Sequence, residues 1–173
     1  GLMVYNQNNV NNNILLCACK QYNLDQKNGI LLVNINTEER KENFDYCFYD
    51  TDDFEVHCFC LISDVKNNNP INGDITVEDN IKICKSNLFL VGGFDKEKGD
   101  GVIKLYKLLE NEKDNGAYIE YLQDIVIQDF RFEKPISCIT QSNITGNILI
   151  TCWDGNVYLF KPPNIDFFLN YTN

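Results

Sequence analysis

Three stretches of the chain repeat one eight-residue pattern, in which a turn-forming dipeptide containing glycine is followed by alternating side chains. The copies are residues 28–35 (NGILLVNI), 100–107 (DGVIKLYK) and 154–161 (DGNVYLFK). Asn-Gly and Asp-Gly favour tight turns, and alternation with a period of two is typical of a β-strand that has one buried face. The chain is therefore expected to fold from a repeated turn-and-strand unit.

A second match precedes each turn, in the form of a short apolar run that begins near an asparagine. These runs are residues 13–17, 87–91 and 147–151. Each run is expected to pair with the strand after the turn as a β-hairpin. In the third copy Asp154 and Gly155 join the two strands and predict a type I′ turn, and Asp100 and Gly101 are assigned to the turn of the second copy on the same grounds.

The first two hairpins are longer than the third. The asparagine and the turn lie 15, 13 and 7 residues apart (13 to 28, 87 to 100, 147 to 154), so the first two copies carry insertions of 8 and 6 residues in one connection. Polar insertions of this kind predict loops that project from a common face. Asp95, Lys96 and Lys98 in the second insertion, with Trp153 beside the third turn, are the candidate partner-binding residues, since exposed aromatic side chains are favoured anchors.

Further strand candidates extend each hairpin to a four-strand unit, which is the composition of a β-propeller blade. Residues 55–62 and 136–141 precede the second and third hairpins, and residues 45–49 and 119–127 follow the first two. The expected fold is all-β, a single partial propeller domain over residues 1–173. Its blades of four antiparallel strands, about three in number, are expected at 14–51, 54–128 and 135–173, with Asn-rich inserts at 6–13 and 66–80.

Three blades do not close a ring, because seven blades would need about 280 residues at roughly 40 residues each. The ring is therefore expected to be incomplete in this chain of 173 residues. Completion by further chain, by a partner or by self-association is the expectation that follows.

The third unit resembles a WD40 repeat over residues 136–161. Its strand, Gly-containing turn, apolar strand, Asp-Gly and final alternating strand follow the order of that family. Phe160 and Tyr106 stand where the family places the Trp of its Trp-Asp pair, Lys161 and Lys107 replace the Asp, and the Gly-His pair is missing. The resemblance implies a non-enzymatic scaffold that binds other proteins within a larger assembly.

The balance of charge and the cysteine usage limit the class of partner. The 25 acidic and 15 basic residues give a net charge of −10, which disfavours binding of nucleic acid. No run approaches the roughly 20 consecutive apolar residues that a membrane-spanning helix needs.

The spacing of the eight cysteines argues against a disulfide framework. Cys17 and Cys19, like Cys58 and Cys60, are two residues apart on predicted strands, which is poor geometry for a disulfide. Reduced thiols indicate a cytoplasmic or nuclear protein.

The residues that carry chemistry are sparse, and no catalytic, cofactor-binding or metal-binding residue is predicted. His57 could in principle form a Cys/His nucleophile, but a lone histidine on a strand is more often a packed or edge residue. The spacings of the Cys-x-Cys pairs and of the acidic residues 50–53 do not match the usual zinc and calcium ligand patterns. The alternative functions are a propeller enzyme or small-ligand binder whose site needs further blades, and a secreted adhesion propeller with one disulfide per blade.

Overall fold

The computed structural model describes residues 1–6, 12–22, 27–36, 45–67, 81–111, 116–127, 130–142 and 144–162. These residues form β-strands and short connections, without a helix, which confirms the all-β prediction. In chain order the strands are β1 Leu2–Asn6, β2 Asn12–Tyr22, β3 Lys27–Asn36, β4 Asp45–Asp50, β5 Phe54–Asn67, β6 Ile81–Asp95, β7 Asp100–Asn111, β8 Gly116–Asp124, β9 Ile136–Gln141, β10 Ile148–Cys152 and β11 Val157–Phe160.

The described strands form three open antiparallel sheets, each a meander in which neighbours in sequence are neighbours in space. Sheet A contains β1 to β4, sheet B contains β5 to β8, and sheet C contains β9 to β11. Sheets A and B have four strands, and the described part of sheet C has three. A propeller ring stays a prediction, because none of the three sheets is closed.

Sheet B is the middle layer of the molecule and is buried on both faces. Along β6, Leu88 and Leu90 pack into a core shared with sheet C, whereas Phe89 and Val91 pack into a second core shared with sheet A. A strand with two buried faces is apolar at consecutive positions rather than at alternate ones. This explains why the sequence of β6 reads as a continuous apolar run.

A β-bulge at His57 changes the side-chain alternation of β5. Val56 pairs with Gly93 and Cys58 pairs with Gly92, so His57 is the extra residue with no partner across the ladder. As a result, Val56 faces the core shared with sheet A, whereas Cys58 faces the core shared with sheet C. Bulges re-aim side chains in this way, and here the bulge brings His57 to the rim of the sheet stack.

The turn of the second hairpin lies four residues earlier than the sequence pattern predicts. Asp95 pairs with Asp100, residues 96–99 form the turn, and Gly99 supplies the left-handed conformation with φ of 70°. The assignment of Asp100 and Gly101 to the turn is therefore wrong, because both belong to β7. Gly101 is required for close packing instead: a Cβ there would lie 2.3 Å from the carbonyl oxygen of Lys134.

The third hairpin does contain Asp154 and Gly155 in its turn, but the turn is not type I′. Gly155 N–H donates to the Cys152 carbonyl at 3.1 Å, Gly155 has φ of 84°, and Asp154 does not have positive φ. Cys152 N–H in turn donates to the Asn156 carbonyl at 3.0 Å. This is a three-residue loop made of a type I turn and a G1 bulge, in which only the glycine adopts the left-handed conformation.

The two insertions lengthen the paired strands rather than forming long loops. In the second hairpin the ladder continues from Leu88 to Asp95, and in the first it continues to the pair Tyr22 and Lys27. Residues 23–26 lie outside the described part of the chain. The ends of the predicted Asn-rich inserts are also paired strands, while residues 7–11 and 68–80 lie outside the described residues.

Candidate functional site

Side chains from all three sheets meet where β5 begins, beside the hairpin tips. We call this set the Trp153 cluster, and it consists of Lys20, Glu55, His57, Lys96 and Trp153. Lys20 comes from β2 of sheet A, and Glu55 and His57 come from β5 of sheet B. Lys96 lies in the turn after β6, and Trp153 lies in the turn after β10 of sheet C. The cluster therefore contains one contact between each outer sheet and the middle sheet.

Glu55 is the charged centre of the Trp153 cluster. Its Oε2 accepts a hydrogen bond from Lys20 Nζ at 3.1 Å, its Oε1 lies 2.9 Å from Lys96 Nζ, and its side chain is only 11% exposed. Burial acts to raise the pKa of the carboxyl group, but the hydrogen bonds and charges of Lys96 and Lys20 outweigh it and lower the pKa below its ordinary value. Glu55 is therefore a carboxylate that holds two lysines in place.

His57 is held on three sides. Its Nδ1 donates a hydrogen bond to the carbonyl oxygen of Ile136 at 3.0 Å, since a carbonyl can only accept. Its Nε2 lies 3.6 Å from Glu55 Oε2, which makes an ion pair when the ring carries its second proton. Its ring stacks on Trp153, with centroids 4.9 Å apart and planes 7° from parallel. The imidazole thereby connects the carboxylate of Glu55 to the indole of Trp153.

Trp153 is fixed in position and exposed at the same time. Its backbone N–H donates to the carbonyl of Pro135 at 3.0 Å, and one face of its indole is covered by His57. The residue nevertheless remains 65% exposed, among the most exposed large hydrophobic residues described. An aromatic ring held on one face and open on the other is suited to bury apolar area against a partner with little further loss of side-chain freedom.

Asp95 and Lys98 belong to a different set, which we call the Asp124 cluster. Lys98 Nζ donates to Asp124 Oδ2 at 3.1 Å and lies 3.5 Å from Asp95 Oδ2, and Tyr121 Oη donates to Asp124 Oδ1 at 3.0 Å. Asp95 also accepts the backbone N–H of Lys98 at 3.0 Å. Asp95 is buried, which acts to raise the pKa of its carboxyl group, but its bonds to Lys98 lower that pKa overall. This arrangement stabilises the turn.

The structure thus divides the four candidate partner-binding residues into two pairs. Lys96 and Trp153 are brought together through Glu55 and His57, whereas Lys98 lies between the carboxylates of Asp95 and Asp124. Sequence reasoning did not include Lys20, Glu55 or His57 among the partner-binding residues. The signal that could have found two of them is that Glu55 and His57 are two residues apart on a predicted strand, a spacing that places side chains on one face.

The described residues also line two cavities away from the Trp153 cluster. Their volumes are about 160 and 230 Å³, below the usual range of small-molecule sites. No group of three or more His, Cys, Asp or Glu side chains is placed to hold a metal ion within the described ranges. Nor does any helix in those ranges have the length and apolar character needed to cross a bilayer.

No protein-family model, curated protein or solved structure matches this chain. The resemblance of residues 136–161 to a WD40 repeat therefore stays a prediction that rests on the sequence pattern. Seven of the eight cysteines are described as free thiols, and they include both members of each Cys-x-Cys pair. Burial raises the pKa of Cys58 to about 12 and that of Cys60 to about 11, so these two thiols behave as apolar core side chains.

Proposed function

We propose that this protein is a non-enzymatic platform for protein–protein interaction, built as a divergent WD40-like propeller segment, and that partner proteins bind at the Trp153 cluster. The observation that carries the proposal is that Trp153 is 65% exposed although His57 stacks on one of its faces. An exposed aromatic side chain that is already ordered is what protein-binding hot spots require.

The surroundings of Trp153 support binding of a protein rather than of nucleic acid. Lys20 and Lys96 share the one carboxylate of Glu55, so the cluster carries a single net positive charge, whereas phosphate-binding surfaces use several basic side chains. The chain as a whole carries a net charge of −10. A central aromatic ring surrounded by paired charges is typical of protein interfaces, in which a desolvated centre is enclosed by a polar rim.

The experiment that tests the proposal compares two single substitutions in affinity captures analysed by quantitative mass spectrometry. Trp153→Ala removes the proposed anchor, and Tyr46→Ala removes an equally exposed aromatic side chain on β4 of sheet A, since both residues are 65% exposed. We expect Trp153→Ala to lower the yield of specific partners about tenfold or more, corresponding to a hot-spot loss above about 1.4 kcal/mol. Tyr46→Ala should leave that yield unchanged.

Two results would contradict the proposal. One is a set of partners that binds the wild-type protein and Trp153→Ala with equal yield. The other is an equal loss with Tyr46→Ala, which would indicate a general effect on folding rather than a contact. Circular dichroism of both variants, compared with the wild-type protein, separates the second result from a true loss of binding.

The same proposal includes a multi-subunit assembly, a cytoplasmic or nuclear location and completion of the ring by further chain, a partner or self-association. The free thiols at the described cysteines support a reducing compartment. The outward face of sheet C supports further contacts, because Leu149, Val157 and Leu159 are 38%, 60% and 57% exposed. Multi-angle light scattering tests this part, and a well-folded monomer at the mass of one chain would contradict it.

A further inference from the structure

The open face of the Trp153 indole is the place where a partner side chain can bind. His57 covers the other face, with ring centroids 4.9 Å apart, and the backbone N–H of Trp153 donates to the Pro135 carbonyl at 3.0 Å. The face of an indole carries a negative electrostatic potential, so it attracts a cation as well as an apolar group. The charges around the ring therefore decide which of the two fits better.

The exposed charges around this face are mainly negative. Lys20 and Lys96 share the carboxylate of Glu55, which leaves the Trp153 cluster with one net positive charge. Exposed carboxylates on the adjoining turns outweigh that charge, and they belong to Asp52, Asp53, Glu97 and Asp154. The surface that a partner meets at the cluster is therefore acidic.

These carboxylates border the cluster and are available to a partner. The carbonyl of Asp53 accepts the backbone N–H of Lys96 at 3.0 Å, Glu97 follows Lys96 in the same turn, and Asp154 follows Trp153. Within the described part of the chain none of the exposed carboxylates on these turns forms an ion pair. Asp154 accepts two hydrogen bonds from a residue of its own turn, at 3.0 and 2.7 Å, and a carboxylate can accept about four.

A partner that covers Trp153 also removes water from the neighbouring carboxylates. A carboxylate that loses water without gaining an opposite charge weakens the complex, whereas a carboxylate that is paired does not. An apolar side chain would bury the indole and leave the carboxylates unpaired, but a cationic side chain can contact the ring and pair with a carboxylate. The net charge of −10 also speeds the approach of a basic segment over that of an acidic one.

We propose that the partner segment bound at Trp153 is a basic peptide, which stacks an arginine guanidinium on the open face of the indole and pairs its other basic side chains with the bordering carboxylates. Arginine fits this surface better than lysine, because its guanidinium is planar, is weakly hydrated and binds a carboxylate through two parallel hydrogen bonds. The inference rests on the proposed binding function of the Trp153 cluster and specifies the chemistry of the partner.

Binding of synthetic peptides to the full chain tests this inference, and the emission of Trp153, the only tryptophan, is the readout. The probes are seven-residue peptides with blocked ends, in which glycine alternates with arginine, lysine, leucine or glutamate. Each spans about 23 Å when extended. We expect the arginine peptide to change the emission saturably and to bind about threefold more tightly than the lysine peptide. The leucine and glutamate peptides should not bind in the same concentration range.

Two pairs of variants locate the binding site by calorimetry with the arginine peptide. Trp153→Ala should weaken binding about fivefold, whereas Tyr46→Ala, which removes an equally exposed aromatic side chain, should leave it unchanged. Glu97→Lys should also weaken binding about fivefold, and Glu120→Lys on β8, with the same change in net charge, by less than about twofold. Glu97 is exposed in a turn, so the second pair decides the question even if Trp153→Ala does not fold.

Four results would overturn the inference. These are equal binding of the arginine peptide to the wild-type protein and Trp153→Ala, equal weakening by Glu97→Lys and Glu120→Lys, a leucine or glutamate peptide that binds as tightly as the arginine peptide, and no binding of the arginine peptide at millimolar concentration. The proposed function fails separately. Captured partners that depend on Trp153, together with an arginine peptide that does not bind, would reject only the basic partner. Captured partners that do not depend on Trp153 would reject the site itself.

Discussion

The indole of Trp153 lies flat on the imidazole of His57, with ring centroids 4.9 Å apart. The two residues belong to different sheets, since His57 is the bulged residue of β5 and Trp153 lies in the turn between β10 and β11. The stack therefore depends on sheets B and C being packed together. It also places an ionisable ring directly beneath an exposed aromatic one.

The fluorescence of the chain should report this stack, because Trp153 is its only tryptophan. His57 covers one face of the indole, so His57→Ala should expose that face to water and move the emission maximum to longer wavelength. His57→Phe keeps a ring beneath Trp153 and should leave the maximum near its wild-type position. Equal emission maxima for the wild-type protein and His57→Ala would show that the two rings are not stacked in solution.

Glu55 should make stability depend on pH on the acidic side. Its carboxyl group has a pKa lowered from the ordinary value of 4.5 in the folded protein, so its stabilising effect is complete above that value and is lost as the pH falls through the folded-state pKa. Urea unfolding should show that Glu55→Gln lowers the free energy of unfolding by about 1 kcal/mol at neutral pH and by much less in strong acid. A cost for Glu55→Gln that is independent of pH would contradict the assignment.

Two glycines should differ in their tolerance of a side chain. Gly101→Ala forces a Cβ to within 2.3 Å of the Lys134 carbonyl oxygen and should destabilise the fold by about 2 kcal/mol. Gly155 has open space around it, but its φ is 84°, a left-handed conformation that disfavours alanine. Gly155→Ala should therefore lower the free energy of unfolding by about 1 kcal/mol, and Gly155→Asn by much less. Thermal unfolding followed by circular dichroism ranks the three, and a Gly101→Ala protein as stable as Gly155→Asn would refute the packing argument.

The cysteines should react with an alkylating reagent in a fixed order. Cys47 and Cys138 are exposed, whereas Cys58 and Cys60 are buried and their pKa values are raised to about 12 and about 11. The thiolate is the reactive form, so exposure predicts that Cys47 and Cys138 are modified first, and burial with a raised pKa predicts that Cys58 and Cys60 are modified last. Peptide mapping by mass spectrometry after timed treatment of the native protein identifies the sites. Early modification of Cys58 or Cys60 would contradict the burial of β5.

Local patterns predicted which strands pair in the hairpins, though not the turns that join them, because the apolar runs that mark the strands lie close together in the sequence. The apolar run of residues 87–91 and the alternation after Asp100 both mark strands that pair in the expected partnership. The strand 136–141 coincides with β9. In contrast, β1 was not predicted, since its five residues carry no turn signal and its partnership with β2 is visible only in three dimensions.

The Trp153 cluster could be predicted only in part, for a physical reason. Lys96 and Trp153 are at hairpin tips, which sequence signals locate, but their connection runs through Glu55 and His57 on a strand from the interior of the stack. The bulge at His57 is possible because Gly92 and Gly93 leave space on the neighbouring strand, where a Cβ at Gly93 would lie 1.9 Å from the Glu55 carbonyl oxygen. The bulge therefore depends on residues of both strands, and the sequence of either strand alone does not predict it.

The middle position of sheet B has a consequence for synthesis of the chain. Sheets A and B are complete once residue 124 has been made, but the face of sheet B that carries Cys60, Leu90 and Leu105 is covered by residues of sheet C, which follow from residue 136 onward. A ribosome that pauses in this interval would hold a nascent chain with an uncovered apolar sheet. Such a surface is a binding site for chaperones and a starting point for aggregation until the final hairpin emerges.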